Sequence, residues 1–158
     1  MCEYCGCQSL ASIDELTREH DEVVRLISHL RGAHQDADVA RMARVAREIT
    51  AVLGPHTRVE EHGLFPAMAP EFPEQIAALE AEHRHIESVL AEAADGVTPS
   101  DPSWPERLMD AMAVLRDHIL KEQDGVFPAA LATLGTEEWE AIEKVRARAG
   151  GVLPGPTT

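Results

Sequence analysis

The sequence predicts an all-α protein: an up-down-up-down four-helix bundle with a short additional C-terminal helix. Three observations carry the prediction. Apolar residues recur at a 3.6-residue period in four long stretches. Only 4% of residues are aromatic and 10 are Gly, a composition that suits helices better than strands. Links rich in Gly, Pro, Ser and Asp are short, and short links favour antiparallel neighbours. At 158 residues and 44% hydrophobic, the chain has the size and core of one domain.

Ser12 followed by Glu15 forms a capping box, so the first helix is expected to open at Ser12 and run to about Arg31, before Gly32. Its stripe is Ile13, Leu16, Val23, Val24, Ile27 and Leu30. The second helix is expected from about Asp38 to His62, with Met42, Val45, Ile49, Val52 and Val59 inward. Gly54-Pro55 lies inside it, where proline kinks or breaks a helix. Residues 66–73 read as a connection, followed by a third helix from about Glu74 to Ala94 carrying Ile76, Leu79, Ile86 and Leu90. Ser103 and Glu106 repeat the capping box and open a fourth helix reaching about Asp124, with Leu108, Met112, Leu115 and Ile119 inward. Thr136 caps a short fifth helix containing Trp139, Ile142 and Val145.

This reading divides the chain into a Cys-containing segment (1–11), the bundle with its C-terminal helix (12–148) and a flexible tail (149–158). Residues 1–11 lack the basic and apolar regions of a secretory signal, and Cys2, Cys5 and Cys7 are clustered and odd in number. Both features point to a cytoplasmic location. The Cys-x-x-Cys spacing is that of a redox pair or half a metal site, and a mobile thiol-bearing tail is the alternative. The formal charge of −14 opposes nucleic acid and anionic membranes.

The two halves repeat each other. His56-x-x-x-Glu60-x-x-Gly63-x-Phe65-Pro66-Ala67 matches His118-x-x-x-Glu122-x-x-Gly125-x-Phe127-Pro128-Ala129, and Glu19-His20 matches Glu82-His83. His20 precedes His56 by 36 residues, and His83 precedes His118 by 35. All four histidines fall on the apolar stripes, and residues four apart share a face, so Glu60 and Glu122 point inward with them. Four imidazoles and two carboxylates in an apolar core require pairing or a metal. Inward His and Glu from all four helices are how bundles build dinuclear iron or manganese sites. Phe65 and Phe127 are expected to plug the space beside the metals. Glu19 and Glu61 are expected to face solvent, with a supporting role behind the neighbouring ligands as the alternative, and His29, His34, His62 and His85 fall off the pattern.

On His20, His56-x-x-x-Glu60, His83 and His118-x-x-x-Glu122, together with Leu64-Phe65-Pro66 and Val126-Phe127-Pro128, residues 12–130 resemble the hemerythrin-like, His-His-Glu cation-binding family. The resemblance implies two iron ions in a non-haem di-iron centre, oxo- or hydroxo- and carboxylate-bridged. One iron takes His20 and His56, the other His83 and His118, with Glu60 and Glu122 bridging. An open position then binds O2, H2O2 or NO, and the electron donor is unspecified. Oxygen-carrying members have a second His four residues after the third-helix ligand, where this chain has Glu87. Glu87 repeats the apolar Val24, so it is expected to face inward as a seventh ligand. A third carboxylate favours ferric iron and redox turnover, catalase- or peroxidase-like, over the alternatives of reversible O2 binding or a non-catalytic iron or oxygen sensor.

Overall fold

The computed structural model describes residues 5–151 and 153. It is helical throughout, with no strand among the described residues: α1 (Cys5–Gln35), α2 (Val39–Val59), α4 (Pro73–Ala91) and α5 (Trp104–Lys121) are the long helices. Two short helices, α3 (Phe65–Met68) and α6 (Phe127–Thr133), extend α2 and α5, and α7 (Thr136–Ala149) follows. Each long helix packs beside the next in chain order, and α5 closes the ring against α1, which gives the up-down-up-down bundle. No helix among the described residues is long and apolar enough to cross a membrane.

The periodicity placed the core correctly. Every stripe residue named above is buried except Val24, which is half-buried. The buried residues form two apolar clusters. One contains Val23, Ile27, Ile49, Ile86, Trp104 and Met112. The other contains Leu16, Leu64, Phe65, Leu79, Phe127 and Trp139. His20 and His83 sit between residues of the two clusters along α1 and α4, so the polar layer is sandwiched between apolar ones.

The helix ends differ from expectation where local chemistry was overruled. α1 opens at or before Cys5, so Ser12 lies inside a helix and caps nothing. Its early turns are held by α7, with Gln8 Nε2 donating to Glu143 at 2.8 Å. Cys2 and most of the C-terminal tail lie outside the described residues, and Cys7 is exposed. Ser103 makes no cap bond; its N–H and hydroxyl both donate to Asp101, an Asx turn that sets the approach to α5. Thr136 is the first residue of α7, whose N-cap is Gly135. Asp38 does cap α2, accepting from the Arg41 N–H at 3.0 Å. α2 continues through Gly54-Pro55 without ending, and Arg58 Nε donates to the Gly54 carbonyl.

The largest correction concerns residues 60–68 and 122–133. The second and fourth helices do not stop at His62 and Asp124. Each passes through a π-helical turn, Glu60–Leu64 and Glu122–Val126, into α3 or α6. In each turn the glutamate carbonyl accepts a hydrogen bond from the phenylalanine N–H five residues on. The extra residue re-phases the helix, so that Glu60 and Phe65 both face the interior although 3.6-periodicity alone would separate them.

α7 breaks the twofold symmetry. It covers α1, α2 and the first π-turn, with Trp139 and Ile142 each 1% exposed. A Cβ on Gly63 would stand 3.3 Å from both Cα and Cγ1 of Ile142, whereas one on Gly125 would meet nothing within 4 Å. Gly63→Ala should therefore cost about 1–3 kcal/mol through overpacking against α7. Gly125→Ala should stabilise by about 0.4–1 kcal/mol through the unfolded chain. Thermal unfolding of the two variants checks the opposite signs.

Candidate metal centre

Four helices each bring one imidazole to the polar layer, and two π-turns bring the carboxylates. His20, His56, His83 and His118 are at most 5% exposed, and Glu60 and Glu122 are fully buried. Their ligating atoms form two groups, each with all members within 4.8 Å: His20, His56, Glu60 and Glu122; and His83, His118, Glu60 and Glu122. Both glutamates belong to both groups. Glu122 Oε1 is 2.9 Å from His20 Nε2, and its Oε2 is 3.4 Å from His118 Nε2. Glu60 Oε2 is 3.3 Å from His56 Nε2, and its Oε1 is 3.1 Å from His83 Nε2.

The opposite ring nitrogens are all engaged. At 2.9 Å each, Nδ1 of His20 meets Gln123 Oε1, His56 meets Glu19, His83 meets Glu61 and His118 meets Glu82. A carboxylate or amide oxygen can only accept, so Nδ1 carries a proton in each ring, and an imidazole that holds no second proton turns its Nε2 lone pair to the centre. The expectation that Glu19 and Glu61 face solvent is corrected. Glu19 is 1% exposed and is also held by Arg146 of α7 at 2.7 Å. The repeat carried the missing signal: Glu19 and Glu82 precede His20 and His83, and Glu61 and Gln123 follow Glu60 and Glu122, at matching register.

Phe127 stacks on His20 with ring centroids 5.4 Å apart, and Phe65 stacks on His83 at 5.6 Å. Each phenylalanine thus braces an imidazole of the other half. A small cavity beside the imidazoles, about 10 Å³ for the centre of a water-sized molecule, is lined by Leu53, Thr57, Ile86 and Leu115 with Glu87 at its edge. Glu87 itself is exposed and belongs to neither ligand group. The half-buried Val24 explains this: the shared register faces the crevice beside the stripe rather than the bundle axis. His29, His62 and His85 are exposed, and His34 pairs with Glu106.

A cation fits this donor set. Glu60 Oε1 and Oε2 and Glu122 Oε2 are buried and make no hydrogen bond, which is costly for carboxylates unless something positive stands among them. The protonation pattern gives the same answer. Burial and the neighbouring charge of Glu60 push the Glu122 carboxyl well above the carboxylate range. Burial raises Glu60 too, but the His56 imidazolium overrides it and holds Glu60 well below that range. Burial lowers His56, yet Glu60 and Glu19 raise it to about 9. Burial and the charge on His56 lower His20 to about 4. Without a cation, the layer neutralises itself with protons.

A buried layer of His and Glu in a four-helix bundle defines a cation-binding helical domain. The chain belongs to the hemerythrin HHE cation-binding domain family, whose model matches residues 11–130. A curated relative, a "DNA nickase" of Nostoc sp. (strain PCC 7120), is 25% identical over 152 residues. The match covers 90% of this chain and 42% of that protein. No solved structure matches the chain.

Metal ions require ionised carboxylates and neutral imidazoles, so loading must expel the protons on Glu122 and His56. Metal affinity should therefore rise with pH through neutrality toward about 9, the His56 value, and fall on acidification. Proton release during metal addition in weak buffer checks this, and loading without release contradicts it.

Proposed function

We propose that the layer holds two iron ions, one on His20 and His56 and one on His83 and His118, bridged by Glu60 and Glu122, and that the pair reacts with a small oxidant such as H2O2, O2 or NO. The observation that carries the reading is that each buried glutamate offers one oxygen to each histidine pair. Carboxylate with imidazole suits iron, and a closed structural zinc site would instead want a tetrahedral set with Cys thiolates, which this layer lacks. When bound, such a pair supplies a two-electron couple, matching H2O2 dismutation to water and O2.

The chain's own residues fit a small oxidant. The cavity beside the imidazoles is about the size of one water molecule, which excludes bulky substrates, and Leu53, Ile86 and Leu115 give it an apolar lining. Glu19, Glu61, Glu82 and Gln123 fix every imidazole in one tautomer, so no ligand reorganises when the oxidant enters. Glu87 stands at the cavity edge rather than among the ligands, where a carboxyl can exchange a proton with an entering molecule. Burial and the charge of Glu61 push its pKa up. The activity in the relative's name is not carried over, because a chain of formal charge −14 repels a polyphosphate backbone and matches only 42% of that protein.

Iron-loaded protein reduced without oxygen and then exposed to air should convert to an oxidised visible spectrum that persists when O2 is removed. It should then evolve O2 from H2O2, and Glu87→Gln should slow that turnover while leaving the bound iron unchanged. A spectrum that reverts on evacuation contradicts the redox reading and marks a reversible O2 binder or sensor.

A further inference from the structure

The four hydrogen bonds behind the ligands are equal in length and unequal in charge. Under the internal repeat, Glu19 matches Glu82 and Glu61 matches Gln123. The first pair is matched in kind: Glu19 supports His56 and is bound by Arg146, which also meets Glu15 at 3.3 Å, and Glu82 supports His118 and is bound by Lys121 at 2.6 Å. The second pair is not. His83 donates to the carboxylate of Glu61, whose ion pair among the described residues is with that histidine alone, whereas His20 donates to the neutral amide of Gln123. The imidazoles of His83 and His118 thus donate directly to two carboxylates, and those of His20 and His56 to one carboxylate and one amide. Glu87, one helical turn beyond His83 on α4, adds a further carboxylate on the same side.

We infer that the two metal positions differ in affinity, the His83–His118 position being the tighter, and that the Glu61/Gln123 difference sets the gap. The inference rests on the two-metal reading above. A carboxylate accepting the Nδ1–H makes the imidazole a stronger donor and places negative charge near the cation; an amide accepts the same bond without the charge. Changes of this outer partner typically alter metal affinity by about 10–100-fold. Glu60 and Glu122 belong to both positions, so the residues that distinguish them in charge are the outer partners.

The test uses Co2+ added to metal-free full-length protein, followed by its visible absorption. The unaltered chain should bind two Co2+, and saturation at one overturns the two-metal reading and this inference together. His118→Ala leaves only the His20–His56 position complete, and His20→Ala leaves only the His83–His118 position. The Kd of the first variant should exceed that of the second by about 10–100-fold. Adding Gln123→Glu to His118→Ala should recover most of that factor, and adding Glu61→Gln to His20→Ala should lose it. The second substitutions are near-isosteric, so they report charge rather than packing, and circular dichroism checks the helices. With two Co2+ bound by the unaltered chain, equal Kd values in the single variants, or no response to Gln123→Glu and Glu61→Gln, overturn the inference and leave the two-metal reading standing.

Discussion

Two fully buried glutamates among four buried imidazoles are the constraint on which the rest of the structure depends. Neither carboxylate has a hydrogen-bond donor for all its oxygens, and a low-dielectric core punishes that arrangement by several kcal/mol per ion. Protons relieve it in the free protein, at the cost of an imidazolium at His56 and a protonated Glu122. Cations relieve it better, because each oxygen then has a positive partner and each Nε2 lone pair an acceptor. The layer is therefore a cation site by charge balance as much as by ligand type.

Much of the surrounding architecture keeps that layer in place. Apolar clusters close it on both sides along the bundle axis. The π-turns let one helix present His56 and Glu60, or His118 and Glu122, and still return a phenylalanine to the interior against the opposite histidine. α7, outside the bundle, reaches the site as well: Arg146 holds Glu19, which holds His56. In the other half Lys121, from α5 itself, does the same for Glu82 and His118. The repeat preserves the electrostatic role while its source changes.

The sequence disclosed the buried His and Glu layer because three periodicities coincide at its residues: the apolar stripe, the i,i+4 spacing and the internal repeat. His20, His56, Glu60, His83, His118 and Glu122 come together as that coincidence requires. It disclosed less wherever a single rule decided. Ser12 satisfies the capping pattern, but packing of the preceding turns on α7 carries the helix through it. The apolarity of Val24 points Glu87 inward, but Val24 is only half-buried and Glu87 is exposed. Glu19 and Glu61 were assigned to solvent because a lone helical glutamate usually is; only the positions of His56 and His83 across the bundle reveal them as acceptors. The π-turns leave no compositional mark beyond the recurrent Gly and Phe, since an extra residue in a turn changes phase and not residue type.

The most direct test of the two-metal layer is a crystal structure of the iron-loaded protein with anomalous data at the iron edge. The account predicts two peaks per chain, one against the Nε2 atoms of His20 and His56 and one against those of His83 and His118, with Glu60 and Glu122 touching both. A single peak, or imidazoles hydrogen-bonded to the glutamates with no peak between them, contradicts it.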